Sequence, residues 1–214
     1  MDVTIAGGHG QIALLLTRIL HDGGHGIRSL IRNPAHTDDV RSAGGEPVVC
    51  DLEVATNEKV ATAVGSPDAV VFAAGAGPGS GSERKETMDL GGAVKLIEAA
   101  RARGIRRYVM VSSARADSST EGEDTFSVYL RAKGRADDEL TASGLDYTIV
   151  RPVRLTNEPG TGRVQLGAAV GRGTISRADV AELVASALGE PVSVGKVFEA
   201  RAGEVPIAEA LRHL

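Results

Sequence analysis

The chain has 214 residues, 42% hydrophobic and 24% charged, a balance that excludes disordered and fibrous classes. Its net charge of −4, with Lys and Arg dispersed along the chain, argues against a nucleic-acid-binding face. No apolar run approaches the roughly 18 residues that cross a bilayer, and the single cysteine, Cys50, allows no intramolecular disulfide.

Cys50 ends an apolar run, where a small buried residue is expected rather than a reactive thiol. The five histidines are scattered without ligand spacing, so no metal site is expected. With one cysteine and no intramolecular disulfide, a reducing cytoplasm is the simplest expected setting; the chain opens on an apolar run with no basic and apolar leader pattern. The expected partner is a small-molecule substrate, with neither nucleic acid nor membrane. Nothing in the sequence demands more than a monomer or a small homo-oligomer.

Taken in chain order, Val/Ile/Leu-rich runs predict strands at 2–6, 27–31, 47–50, 69–73, 107–112 and 146–151. Between them, helical patterns fall at 11–22, 35–43, 54–64, 83–103 and 127–143. Ala93, Leu96, Ile97 and Ala100 share one stripe of the fourth helix, which Gly104 terminates. Arg101, Arg103, Arg106 and Arg107 beside it read as a solvated helix end. The alternation predicts an α/β fold: a Rossmann-type doubly wound parallel sheet. Residues 155–175 read as Gly-rich and irregular. A helix is predicted from Arg177 to Leu188, with a capping box at Ser176 and Asp179, then a strand from Lys196 to Ala200 and a last helical turn from Ile207 to Leu211. The whole chain, 1–214, is expected to be one domain, with 153–214 a small lobe on the substrate side. Two loops at the strand ends, Gly75–Ser82 and Ala116–Asp124, read as a phosphate-facing loop and a substrate lid.

The stretch AGGHGQIA (6–13) sits where a nucleotide site must be: strand, glycines, helix. Its spacing fits Gly8-x-Gly10-x-x-Ala13 and equally Gly7-x-x-Gly10-x-x-Ala13. Backbone N–H groups near Gly10, Gln11 and Ile12 suit a pyrophosphate. His9 is expected to be a loop residue beside the phosphates rather than an acid or base. The second strand runs into Ile31-Arg32-Asn33 with no acid before Asp38. An NAD site carries Asp or Glu there for the ribose 2′-OH. A guanidinium at Arg32 instead suits the 2′-phosphate of NADP, so NADP(H) is expected in preference to NAD. After the third strand, Asp51 is placed to accept from the adenine amino group and Leu52 to pack on its ring; Asp51 also suits a helix N-cap. Tyr129 and Lys133, four apart on a helix, share one face. They follow a strand ending Val111-Ser112-Ser113; a lysine so placed can lower the phenol pKa and bind the nicotinamide ribose, and the tyrosine then suits general acid or base work on a carbonyl or alcohol.

Together these stretches resemble the short-chain dehydrogenase/reductase superfamily, and most of all its atypical NAD(P)-binding branch: NmrA-like, biliverdin/flavin-reductase-like and epimerase/dehydratase-like proteins. The likeness spans AGGHGQIA, LIRNP (30–34), VVCDLE (48–53), VVFAAGAG (70–77), Met88 to Ser113, YLRAK (129–133), SGLDYTIVRP (143–152), EPGTG (158–162) and TISRADVA (174–181). The resemblance favours the glycine reading that starts at Gly7. It implies that Ala73, Ala74 and Gly75 line the ribose and pyrophosphate, and that Val111, Ser112 and Ser113 lie near the nicotinamide. It also implies that Pro152 and Val153 meet the carboxamide end, and that Tyr129 and Lys133 form the catalytic pair with Ser113 as the carbonyl-polarising hydroxyl. Extended members often carry the catalytic serine at the place of Ala114. The tail after 152 is also far shorter than their sugar-binding part. The expected function is an NADP(H)-dependent oxidoreductase reducing a small carbonyl, quinone or flavin-like substrate. A non-catalytic NADP(H)-binding redox-sensing regulator and an epimerase/dehydratase-like enzyme are the alternatives.

Overall fold

All six apolar runs become strands. In the computed structural model, which describes residues 1–77 and 79–214, they are β1 (Asp2–Ala6), β2 (Gly26–Ile31), β3 (Glu46–Val49), β4 (Ala69–Phe72), β5 (Arg107–Val111) and β6 (Asp146–Pro152). They pair in parallel in the order β3-β2-β1-β4-β5-β6, the Rossmann arrangement. The order reverses between β1 and β4, and all six carboxyl ends fall on one edge of the sheet.

Strand parity builds two cores. Val109 and Val111 of β5 face one side with Val3, Ile5 and Val71, while Tyr108 and Met110 face the other with Val70, Phe72 and Ile149. Helices α1 (Gln11–Asp22) and α7 (Arg177–Gly189) pack together over the first face. The second face is covered by α3 (Asn57–Val64), α5 (Gly91–Ala102) and α6 (Thr125–Thr141). The short helices α2 (Thr37–Ser42) and α4 (Ser82–Arg84) complete the set up to α7. Between α4 and α5 the helix widens into a π-helical segment, Lys85–Leu90. The third predicted helix starts three residues later than the pattern suggests. The Oγ1 of Thr56 accepts from the Lys59 N–H and caps it, leaving Val54 in the preceding turn.

The tail departs most from expectation. Residues 155–175 are not irregular: they contain most of β7 (Arg154–Thr156), all of β8 (Arg163–Gly167) and the start of β9 (Thr174–Ser176), and β10 (Lys196–Ala202) and β11 (Val205–Pro206) follow. β10 extends the main sheet in parallel beside β6, and β8 and β11 add antiparallel beyond it. β7 and β9 form a separate two-stranded sheet. Half of the predicted capping box forms: the Ser176 Oγ accepts from the Asp179 N–H, while the Asp179 carboxylate accepts from the Ser176 hydroxyl rather than from its backbone N–H. A carboxylate oxygen of Asp179 also accepts from the N–H groups of Thr161 and Gly162, tying that loop to α7. The last helix, α8, spans Ile207–Arg212.

The arginine group is a further correction. Arg107 is half-buried. It starts β5, and its guanidinium donates to Thr148, Ser193 and the carbonyls of Ala187 and Asp146. It thereby caps the C-terminal end of α7.

Candidate functional site

The AGGHGQIA turn joins β1 to α1 at the switch point. Gly7 takes the left-handed backbone (φ +81°), and the Gly10 N–H donates to its carbonyl at 2.8 Å. A Cβ on Gly7 would lie 2.6 Å from the Ala74 Cα, and one on Gly8 2.5 Å from the Ser29 Cβ. Both glycines are therefore fixed by close packing, Gly7 on the segment just after β4 and Gly8 on β2, and Gly7 alone also needs the positive φ. Ala13 is fully buried. Gly10 is the N-cap of α1, offers no side chain to it, and no acid lies in the first turn. The N–H groups at this helix start are thus left for an anionic group.

The ring of His9 stacks on His36, 3.5 Å between centroids, and its Nε2 is 2.8 Å from Asp39. Asn33 accepts from the Ala35 N–H and starts the helical turn before α2. Arg32 follows β2 with its side chain 53% exposed, held loosely by Glu53 at 3.4 Å. Asp51 accepts from the Glu53 N–H, an Asx turn rather than a helix cap, and Leu52 is buried.

Glu53, at the end of VVCDLE, is the hub here. Its carboxylate accepts from Thr87 Oγ1 at 2.7 Å and Arg84 Nε at 3.1 Å, besides Arg32. Arg84 also donates to the Ala76 carbonyl, so the loop after β4 hangs on Glu53. Pro78 of that loop lies outside the described residues. Burial pushes the Glu53 carboxyl up, but Thr87, Arg84 and Arg32 outweigh it and hold it below its usual 4.5. A lowered pKa adds stability that is full above 4.5 and lost as pH falls through the folded value. Glu53→Gln should lower stability by about 1–2 kcal/mol at pH 7, and urea midpoints measured from pH 7 to 3 should fall less steeply than in the unaltered protein.

A cavity of about 490 Å³ opens at the carboxyl edge, walled by Ile12, Ala73, Ala74, Gly75, Val111, Ser112, Tyr129 and Lys133 among others. Lys133 is 3% exposed, and its ammonium is 3.1 Å from the fully buried Asp89. Burial depresses Lys133, but Asp89, Tyr129 and Asp137 outweigh it and hold the ammonium above its usual pKa. Lys85, also buried, donates to the Gly77 carbonyl and lies 5.5 Å from the Tyr129 ring centroid. Lys85 and Asp89 both belong to the π-helical segment, and neither was singled out from the sequence. The Ser112 hydroxyl donates to the buried Asp137, which also accepts from Arg151. Burial holds the Asp137 carboxyl above its usual value despite both donors.

A second chamber, about 980 Å³, adjoins the first and takes in Ser113, Pro152 and Val153. Ser112, Phe126, Tyr129 and Leu155 line both. The Ser113 hydroxyl is bound only to the Ala114 carbonyl, at 3.3 Å. Residues 116–124 line neither chamber. Their loop is pinned instead, by Arg131 donating to the carbonyls of Thr120 and Gly122 and by Asp124 capping α6. Among the described residues there is no cluster suited to a metal, and no helix long and apolar enough to cross a membrane.

The residues around the first cavity fit a dinucleotide. Close-packed glycines keep the turn low, the α1 start is uncapped, and small side chains at 73–75 leave space beside it. This is what a dinucleotide-binding Rossmann protein presents at its switch point. The chain belongs to the NAD(P)H-binding family, whose sequence pattern matches residues 7–191. It is 40% identical, over the full length of both chains, to a Bacillus subtilis protein named an uncharacterized sugar epimerase, YhfK. Its fold superposes on a Bacillus halodurans structure with the provisional name NAD-dependent epimerase/dehydratase. That match has a TM-score of 0.92, 39% identity and full coverage of both chains. It also matches the Lactococcus lactis oxidoreductase ylbE, at a TM-score of 0.86 and 28% identity, over 100% of this chain and 96% of that one.

Proposed function

We propose that this protein is an NADP(H)-dependent oxidoreductase that reduces a small carbonyl, quinone or flavin-like compound. The observation that carries the reading is Tyr129 on the wall common to both chambers. A phenol there reaches the dinucleotide side and the substrate side at once. When bound in the first chamber, the nicotinamide supplies the hydride. Tyr129 donates the proton to the substrate oxygen, and the Ser113 hydroxyl, free of strong partners, polarises that oxygen. Lys133 keeps a positive charge behind Tyr129, anchored by Asp89. Arg32, exposed at the β2 end where an NAD site has an acid, favours the 2′-phosphate.

The name of the B. subtilis relative favours a second reading, a sugar epimerase. An epimerase restores its dinucleotide each cycle, whereas a reductase consumes it. NADPH oxidation measured against quinones, flavins and small aldehydes is expected to show net consumption, faster than with NADH. Epimer interconversion without net NADPH loss would overturn the reductase reading. Arg32→Ala should weaken NADP(H) binding about tenfold or more relative to NAD(H), read as a smaller thermal shift. Equal stabilisation of the unaltered protein by NAD and NADP would remove Arg32 from the site.

A further inference from the structure

The second chamber is lined by four arginines from separate segments: Arg115 after β5, Arg154 on β7, Arg172 between β8 and β9, and Arg177 at the start of α7. Among the described residues none of the four is ion-paired with a carboxylate; every paired arginine lies elsewhere. Arg177 meets a neutral partner, the Asn157 amide oxygen at 2.6 Å. The one acid lining the chamber, Glu199, is 7% exposed and spoken for. Its Oε1 accepts from the Arg115 N–H at 2.9 Å and its Oε2 from the Val170 N–H at 3.0 Å. Arg115 is also the one non-glycine residue, among those described, with a left-handed backbone (φ +64°). Strain of this kind concentrates at ligand sites.

In a chain of net charge −4, four arginines line one cavity against a single carboxylate, Glu199, so the lining carries excess positive charge and its arginines repel one another. An anionic ligand removes that repulsion, and guanidinium forks match carboxylate and phosphate geometry. We propose that the second chamber selects substrates bearing a carboxylate or phosphate, held by Arg115, Arg154, Arg172 and Arg177 while the reducible group faces Tyr129. The inference rests on reading this chamber as the substrate site.

The test is calorimetric titration of the full chain, with and without saturating NADP⁺, using two matched pairs. 4-Carboxybenzaldehyde is compared with benzaldehyde, and FMN with riboflavin. At least one anionic member should bind roughly tenfold or more tighter than its neutral partner. The advantage should shrink as salt rises and vanish in the Arg154→Glu/Arg172→Glu protein. Preference in the aldehyde pair assigns a carboxylate; preference in the flavin pair assigns a phosphate. Should the double reversal fail to fold, Arg154→Gln/Arg172→Gln is expected to reduce the same preference. Equal affinities within both pairs, no binding of either anion, or a preference that survives substitution overturns the proposal. Neither Arg154 nor Arg172 lines the first chamber, so NADP⁺ should bind the variants unchanged. NADP⁺ binding with no anion preference sinks the anion reading alone, whereas failure of the unaltered protein to bind NADP⁺ sinks the oxidoreductase reading.

Discussion

Tyr129→Phe should lower turnover on an identified carbonyl or quinone substrate by about 10²-fold or more, the usual worth of a positioned general acid. The substitution removes one oxygen and leaves the ring, which stacks at 6.1 Å on Phe126 and lies beneath Lys85. Folding and NADP(H) affinity should therefore stay as they are, and the loss should appear in kcat rather than in cofactor binding. Steady-state kinetics with NADPH, alongside a binding isotherm for NADP⁺, separate the two. Unchanged turnover would take the proton-donor role from Tyr129 and leave direct hydride transfer to a flavin-like acceptor as the surviving chemistry.

Asp89→Asn should destabilise the protein by about 3–5 kcal/mol, the cost of leaving a buried charge without its partner. Lys133 and Asp89 are both fully enclosed, 3.1 Å apart, one on α6 and one on the π-helical segment. Asparagine keeps the shape and removes the charge, so a fall in the urea midpoint measures the electrostatic part. The sign with pH follows from Lys133, whose folded pKa is raised. Its contribution is full below the ordinary 10.5 and lost as pH rises through the folded value, so the deficit of the variant is present at neutral pH. An Asp89→Leu/Lys133→Met protein should recover much of the stability, because an apolar pair needs no compensation. If Asp89→Asn shifts stability by less than about 1 kcal/mol, the pair does not behave as a buried ion pair.

The positions of these residues were readable in the sequence to different depths. Strand parity and short apolar runs belong to single segments, so β1 to β6 emerge near their observed bounds. The glycine turn is equally local, built from one strand, one turn and one helix, but choosing Gly7 over Gly8 took the resemblance carried by distant stretches. Lys85 and Asp89 were hidden because 83–103 reads as one uniform helix, and a π-helical segment changes which side chains face inward. Asp89 further matters only through Lys133, on a helix far along the chain. Ser112 shows the same limit: its neighbours place it at the strand end, but the carboxylate that takes its hydroxyl comes from α6. β8 stayed hidden because its pairing depends on β10, a later strand, and strand propensity is weak without a partner.

Glu199 has a wider implication. It stands on β10, inside the main sheet, and carries one loop on each carboxylate oxygen. The floor of the second chamber is therefore set by the scaffold, while part of its rim, residues 169–173, lies in the loop between β8 and β9. If the proposed reaction holds, residues 157–158 and 168–173 can be rewritten to admit a new molecule without disturbing Tyr129. On the proposed reading, substrate choice and reaction geometry are separable inheritances.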